Sequence, residues 1–224
     1  MRGERLAAAI ETCTAEVFTL PPGLWSPSID QGDMSGGIGL LMLDGLMVRQ
    51  VGVAGRYGAE LLGTGDLLRP WQLEDSGRTL PRTGRWRALQ PCRMAILDRD
   101  FAMRTAAYPE VFACLFSRAL RRAALIAVQM AIVHQPRIDV RLHMLFWELA
   151  DRWGWVRSDG VHVPLNLTHA MLADLVAARR PTVTKALGEL AQAGIVTWTG
   201  SEWLLQGEPP VELQAVGPVS VGRG

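Results

Sequence analysis

The sequence predicts an α+β protein: a small antiparallel β-domain first, then a long helix leading into a compact C-terminal domain of short helices closed by a β-hairpin. Three observations predict it. Between Gly36 and Leu97 the chain runs in short apolar stretches punctuated by glycine, the texture of strands and turns. From Pro109 to Gln135 apolar or small residues return at spacings of four and three, which is a helical period. From Thr168 to Leu205 two helical patterns are followed by two apolar runs around a polar turn. A chain of 224 residues, 49% hydrophobic and 20% charged, suits two globular domains, each with its own core.

In the first part, residues 1–20 predict a short helix or arm, interrupted at Pro21-Pro22-Gly23. The runs Ile38 to Leu43 and Leu46 to Val53 flank Asp44-Gly45, and Asp-Gly between two apolar runs predicts a two-residue hairpin. Further strand texture follows at Leu61-Leu62 and from Trp86 to Leu97. The stretch Leu67 to Arg85, with Pro70, Pro81 and several charges, reads as a long loop interrupting the sheet, and loops of that length are often functional or mobile.

The helix from Pro109 to Gln135 would be about 40 Å long at 1.5 Å per residue. Phe116, Leu120, Ala123, Ala127 and Met130, followed by His134, form a heptad seam. A long helix with such a stripe needs a partner. A parallel homodimer supplies one, with Ala123 and Ala127 allowing close approach; the alternative is packing on the chain's own β-domain. Pro136 ends this helix, and Ile138, Leu142, Leu145, Phe146 and Leu149 mark an amphipathic helix over 137–153. The expected organisation is a β-domain over 1–108, the long helix over 109–136, the C-terminal domain over 137–210 and a loose tail over 211–224.

The C-terminal domain carries the chemistry. Thr168 is placed as an N-cap before Leu172, Leu175 and Val176. A turn over 177–179 leads to a second helix beginning near Arg180, with Pro181 in the first turn, where its missing N–H costs nothing. Val183, Leu187, Leu190 and Ala191 share the packing face of this helix. Gly194 stops it, and the runs Ile195 to Trp198 and Trp203 to Leu205 flank the turn Thr199-Gly200-Ser201-Glu202. Two helices joined by a short turn and followed by a hairpin make a winged helix-turn-helix. Arg179, Arg180, Thr182, Thr184 and Lys185 lie off the packing face, with Thr168 at the start of the first helix. Arginine and lysine read guanine or neutralise phosphate, and threonine hydroxyls bond to phosphate or base edges. Lys185 is the one lysine among 23 basic side chains. The plainer reading is a solvated charged face.

Composition narrows the function further. The net charge is +1, and residues 137–224 hold eight basic side chains against nine acids, so any basic footprint must be local. Cys13, Cys92 and Cys114 are too far apart for a metal knuckle and fit a reducing cytoplasm. The longest apolar stretch, Ala123 to Val133, is too short for a membrane span of roughly 20 residues, and no signal-peptide order opens the chain. His134, His143, His162 and His169 all follow the β-region, which excludes a cupin-like metal site or a histidine-ligated haem there. No phosphate loop and no organised nucleophile-base pair is present. The chain does not read as an enzyme.

The stretch Leu172 to Val196, with RRPTVTKALGELAQAGIV at its centre, resembles the C-terminal winged helix of the CRP/FNR superfamily of bacterial transcription regulators. Arg180, Thr182, Val183, Thr184 and Lys185 fall on the family pattern, while Arg179 stands where the family often has Ser, and Pro181 where some members have a base-reading Glu. The stretch LLMLDGLMVRQVGVAGRYGAELLGTGDLLRPW resembles the β-roll of cyclic-nucleotide-binding-like domains, with Gly65-Asp66 at the place of their Gly-Glu, Arg82-Thr83 at the place of Arg-Ser, and Val128 and Gln129 at the purine-holding positions. The match to the phosphate cassette is partial: Asp66 is shorter than Glu, the loop is longer, and Val128-Gln129 is not the family's Thr-Ser pair. These residues read either as a cyclic-nucleotide site or as a turn and its salt bridge.

The resemblance implies a homodimeric regulator that binds double-stranded DNA, with RNA polymerase as a further partner and no cofactor unless cAMP or cGMP is its effector. An adaptor that docks its winged helix on a protein is the alternative.

Overall fold

The computed structural model describes residues 3–27, 36–73, 79–80 and 82–210. The chain divides into two compact units, 1–126 and 127–224. The division falls inside the long helix, not at its ends, so its first turns belong to the β-domain.

The first unit begins with helix α1 (Glu4–Thr12) and strands β1 (Glu16–Leu20) and β2 (Gly23–Trp25). Strands β3 (Gly39–Asp44), β4 (Leu46–Val53), β5 (Arg56–Gly63), β6 (Leu67–Leu68), β7 (Thr83–Ala88) and β8 (Cys92–Leu97) complete two four-stranded sheets. Their orders are β1-β8-β3-β6 and β2-β7-β4-β5, and every pairing is antiparallel. Alternate residues of facing strands, among them Leu40, Met42, Met47, Leu62, Leu68, Trp86 and Met94, form one buried core. A second cluster joins Ala95 and Leu97 of β8 to Phe101 and Leu115. Phe101 lies on helix α2 (Arg99–Thr105), and Leu115 on the long helix α3 (Pro109–Val133). Asp98 caps α2 by accepting the Phe101 N–H at 2.7 Å.

Two expectations are corrected here. Asp44-Gly45 is not a hairpin: β3 and β4 belong to different sheets, and the pair is the corner where the chain crosses between them. Gly45 has φ +100°, and a Cβ there would lie 2.4 Å from the Pro91 carbonyl oxygen, so the corner requires glycine. The hairpin is ten residues on, at Ala54-Gly55, where φ is +50° and +77°, the paired positive values of a type I′ turn. The stretch 67–85 is also less loop than expected, because Leu67–Leu68 pairs with β3 and Thr83–Arg85 with β4. A 3-10 turn occupies Pro70–Leu73.

Helix α3 has 25 residues, close to the expected length. Phe116, Leu120 and Met130 on its seam are 54%, 54% and 57% exposed, and Ala123 and Ala127 are exposed as well.

The second unit continues with α4 (Ile138–Trp153), β9 (Trp155–Arg157), β10 (Gly160–Val163), α5 (His169–Leu175), α6 (Arg180–Gln192), β11 (Val196–Trp198) and β12 (Trp203–Leu205). The predicted wing hairpin is β11–β12. It is half of a four-stranded antiparallel sheet, β11-β12-β10-β9, whose β9 and β10 were not anticipated from the sequence. Leu142, Phe146, Leu149, Leu172, Val183, Leu187 and Trp203 are buried together, with the Phe146 and Trp203 rings 4.8 Å apart. One position on the packing face of α6 differs from expectation: Ala191 is exposed and Ala186 is buried in its stead, because three residues between Val183 and Ala186 complete nearly a full turn. Among the described residues the last strand is β12, and the expected tail over 211–224 lies outside them.

Candidate nucleic-acid interface and effector cassette

The helix-turn-helix is built by caps and one strained residue. Thr168 Oγ1 accepts the Met171 N–H at 3.2 Å, opening α5. At its end the Ala178 N–H reaches back to the Ala173 carbonyl at 2.9 Å. This closure puts Ala177 at φ +52°, a left-handed conformation that usually takes glycine. The chain then enters α6 with Arg179 as N-cap, making no side-chain cap, and Pro181 in the first turn. Unsatisfied N–H groups at that end favour an anion.

Burial of Val183, Ala186, Leu187 and Leu190 fixes which side of α6 faces outward. Arg179, Arg180, Thr182, Thr184 and Lys185 are all exposed, as is Thr168. Arg179 and Arg180 make no ion pair among the described residues. The Lys185 ammonium, 80% exposed, lies 3.7 Å from Glu189, a contact too open to hold it in place. Thr184 Oγ1 lies 2.9 Å from Nδ1 of His169 on α5, which ties the two helices across the offered face. Sequence reasoning did not assign His169 a role, since its partner is 15 residues away.

In the same unit, the wing sheet holds a buried imidazole. His162 on β10 bonds to Asp159 through Nε2 at 2.9 Å and to Glu202 through Nδ1 at 2.8 Å. The Asp159 and Glu202 bonds hold its pKa above the ordinary imidazole range.

In the first unit the predicted cassette residues are largely committed to the chain itself. Gly65 has φ +90°. Its carbonyl accepts Arg118 Nη1 at 3.3 Å, and a Cβ would lie 2.2 Å from that nitrogen. Asp66 is buried, and its Oδ2 accepts the Gly63 N–H at 2.8 Å. Arg82 is half-buried, and Thr83 is exposed opposite Gly52. In the second unit Val128 is 43% exposed, while Gln129 Nε2 donates to the Leu175 carbonyl at 3.0 Å.

What the sequence did not reveal is a buried charge cluster in the first unit. Arg122 of α3 donates to both carboxylate oxygens of Glu60 on β5, at 2.7 and 3.2 Å, and to the Leu67 carbonyl at 3.0 Å. Arg49 of β4 makes a second ion pair with the same carboxylate. Burial pushes the Arg49 pKa down, with Glu60 opposing and Arg122 adding to the shift.

A winged helix-turn-helix behind a double-sheeted β-domain defines a class of DNA-binding-type chains, and comparison narrows it. Residues 140–206 match the Crp-like helix-turn-helix domain. The chain is 29% identical over 147 residues to the CRP-like cAMP-activated global transcriptional regulator of Mycobacterium tuberculosis, covering 65% of this chain. It thus spans 64% of the length of the curated relative it matches. Among solved structures it is similar to a CooA double mutant from Carboxydothermus hydrogenoformans, with TM-score 0.65 and 15% identity over 86% of this chain and 84% of that one. It is also similar to the c-di-GMP-responsive global regulator CLP of Xanthomonas campestris, with TM-score 0.61 and 15% identity over 90% and 100%. A CRP/FNR-family transcriptional regulator from Thermus thermophilus gives TM-score 0.59 at 20% identity over 86% and 94%. Residues 140–206 are thus a Crp-like helix-turn-helix domain, and the fold of the chain is that of the CRP/FNR-type structures it resembles.

Proposed function

We propose that this chain is a homodimeric, sequence-specific DNA-binding transcription regulator of the cytoplasm, without catalytic activity, and that its first unit answers an effector other than a cyclic nucleotide or works without one. The observation that carries the DNA reading is the outward side of α6: Arg179, Arg180, Thr182 and Lys185 stand exposed on a helix whose other side is buried, inside a matched Crp-like domain. Groove entry by such a helix, with cations at its N-terminal end, is how helix-turn-helix proteins read DNA. The exposed seam of α3 supports the dimer, since a two-fold axis gives paired recognition helices their matching half-sites.

The relatives are described as cAMP-activated and c-di-GMP-responsive. Here Asp66 is turned onto Gly63 and Gln129 onto Leu175, which argues against the same use of these positions. Footprinting the purified chain on fragments of its own genome, with and without cyclic AMP, tests both parts. Protection of a palindrome in the absence of nucleotide is the expected result. Protection only with cyclic AMP would overturn the effector reading, and no protection under either condition, with no salt-dependent DNA binding, would favour the protein-docking adaptor.

A further inference from the structure

The first unit contains a cavity of about 590 Å³ that none of Gly65, Asp66, Arg82 or Thr83 lines. Ile38, Leu67, Phe112, Leu115 and Phe116 give it an apolar wall, and Arg69 is the one charged residue on it among the described residues. Leu115 is its buried floor, while the Phe112 and Phe116 rings, stacked 6.3 Å apart, are exposed at its rim. Its size and its apolar wall with one charged group are those of a small-molecule site.

Arg69 is the informative group. Its Nε is buried and makes no hydrogen bond, and it meets no carboxylate among the described residues. Its guanidinium lies over the Trp71 ring at 5.7 Å. The stem passes Gly39, where a Cβ would lie 2.5 Å from the Leu68 carbonyl oxygen and 3.2 Å from Arg69 Cγ, so glycine is required first for the close approach of β6 and leaves room for the arginine stem beside it. A guanidinium beside an apolar wall, with no counter-charge among the described residues, favours an anion that brings its own apolar body.

We propose that this cavity is a binding site for a small organic monocarboxylate with an aliphatic or aromatic body, its carboxylate paired with Arg69 and its body between the long helix and the β6 edge. Phe116 belongs both to the cavity rim and to the exposed seam of α3, so the ligand would lie beside the proposed subunit contact. The site is separate from the cyclic-nucleotide cassette.

Calorimetric titration of the full chain with octanoate and, separately, 1-octanol tests it. Octanoate should bind about tenfold or more tightly than octanol, since only the acid makes the charge-assisted pair. Arg69→Gln should remove that preference while leaving octanol binding in place, which also reports that the cavity is intact. Ala119→Trp, which fills the cavity from α3, should abolish both. Equal affinity for acid and alcohol, or an Arg69→Gln chain that binds octanoate as well as the original, would overturn the proposal. So would octanoate binding seen only in a Leu120→Glu monomer, because the second copy would then be the cavity's occupant.

Discussion

Arg122 grips Glu60 edge-on, its Nη2 and Nε donating to separate carboxylate oxygens at 2.7 and 3.2 Å, and the same carboxylate also serves Arg49. One buried acid thus balances two half-buried cations. Removing Glu60 should therefore hurt more than removing either arginine. Glu60→Gln is expected to destabilise the first unit by about 3 kcal/mol, as for other broken buried pairs. Arg49→Ala, which leaves the Arg122 pair whole, should cost less. Denaturant unfolding of the three chains gives the ordering, and equal losses would mean that the cluster does not share its charge.

The left-handed Ala177 offers a gain. Replacing it with glycine removes a cost of roughly 1–2 kcal/mol for a Cβ at positive φ, offset in part by the greater freedom of glycine in the unfolded chain. Ala177→Gly should stabilise the second unit by about 0.5–1 kcal/mol, read from the denaturant midpoint. A loss would show that the turn relaxes away from φ +52°.

The α6 side chains should separate by role in DNA binding. Arg180→Ala should cost about 1–3 kcal/mol on the operator and relax preference at one base pair if Arg180 reads guanine. Lys185→Ala should weaken all sequences alike and reduce the salt slope by about one if it meets a phosphate. Filter binding across a salt series distinguishes the two. Unchanged affinity in both variants would move the interface off this face.

Leu120→Glu places a charge in the α3 seam. Because Leu120 is already 54% exposed in the single chain, the fold should survive, with a stability change of about 0.5 kcal/mol or less. Sedimentation should show a monomer, and operator affinity should fall with loss of the second half-site. A variant that still sediments as a dimer would remove the seam from the subunit contact.

His162 gives the second unit a pH dependence of known sign. Its pKa is raised in the folded chain by Asp159 first and Glu202 second, so the imidazolium form is the one the fold favours. That stabilisation is fully present below the unfolded imidazole pKa, near 6.5, and is lost as pH rises through the higher folded value. Thermal unfolding followed from about pH 6 upward should show the decline, and His162→Gln should flatten it. An identical slope in the variant would assign the dependence to another group.

Much of the second unit was legible in the sequence because its signals are local. Thr168, Pro181 and Gly194 each act within one turn of helix, and Leu172, Val183 and Leu187 repeat at helical spacing. The β-domain was harder to read because its decisive signals compete. Asp44-Gly45 is chemically the stronger hairpin pair, yet tertiary crossing made it a corner, while Ala54-Gly55, with a residue that dislikes positive φ, became the hairpin. A two-residue turn centred at 54 and 55 pairs residues whose numbers sum to 109, which sets Arg49 opposite Glu60. Reading the correct turn would therefore have revealed half of the buried cluster. Arg122, 62 residues beyond Glu60, had no such local clue.

The exposed ammonium of Lys185 also has a chemical consequence. It is the sequence's one lysine, so an amine-reactive acetylating or biotinylating reagent has a single side-chain target, 80% open to it. Modification there cancels the positive charge on α6, and any surface covering this face would shield the amine from the reagent. The chain thus carries its own single-side-chain footprinting label, readable by mass as one acetyl group gained or withheld on the peptide that contains Lys185.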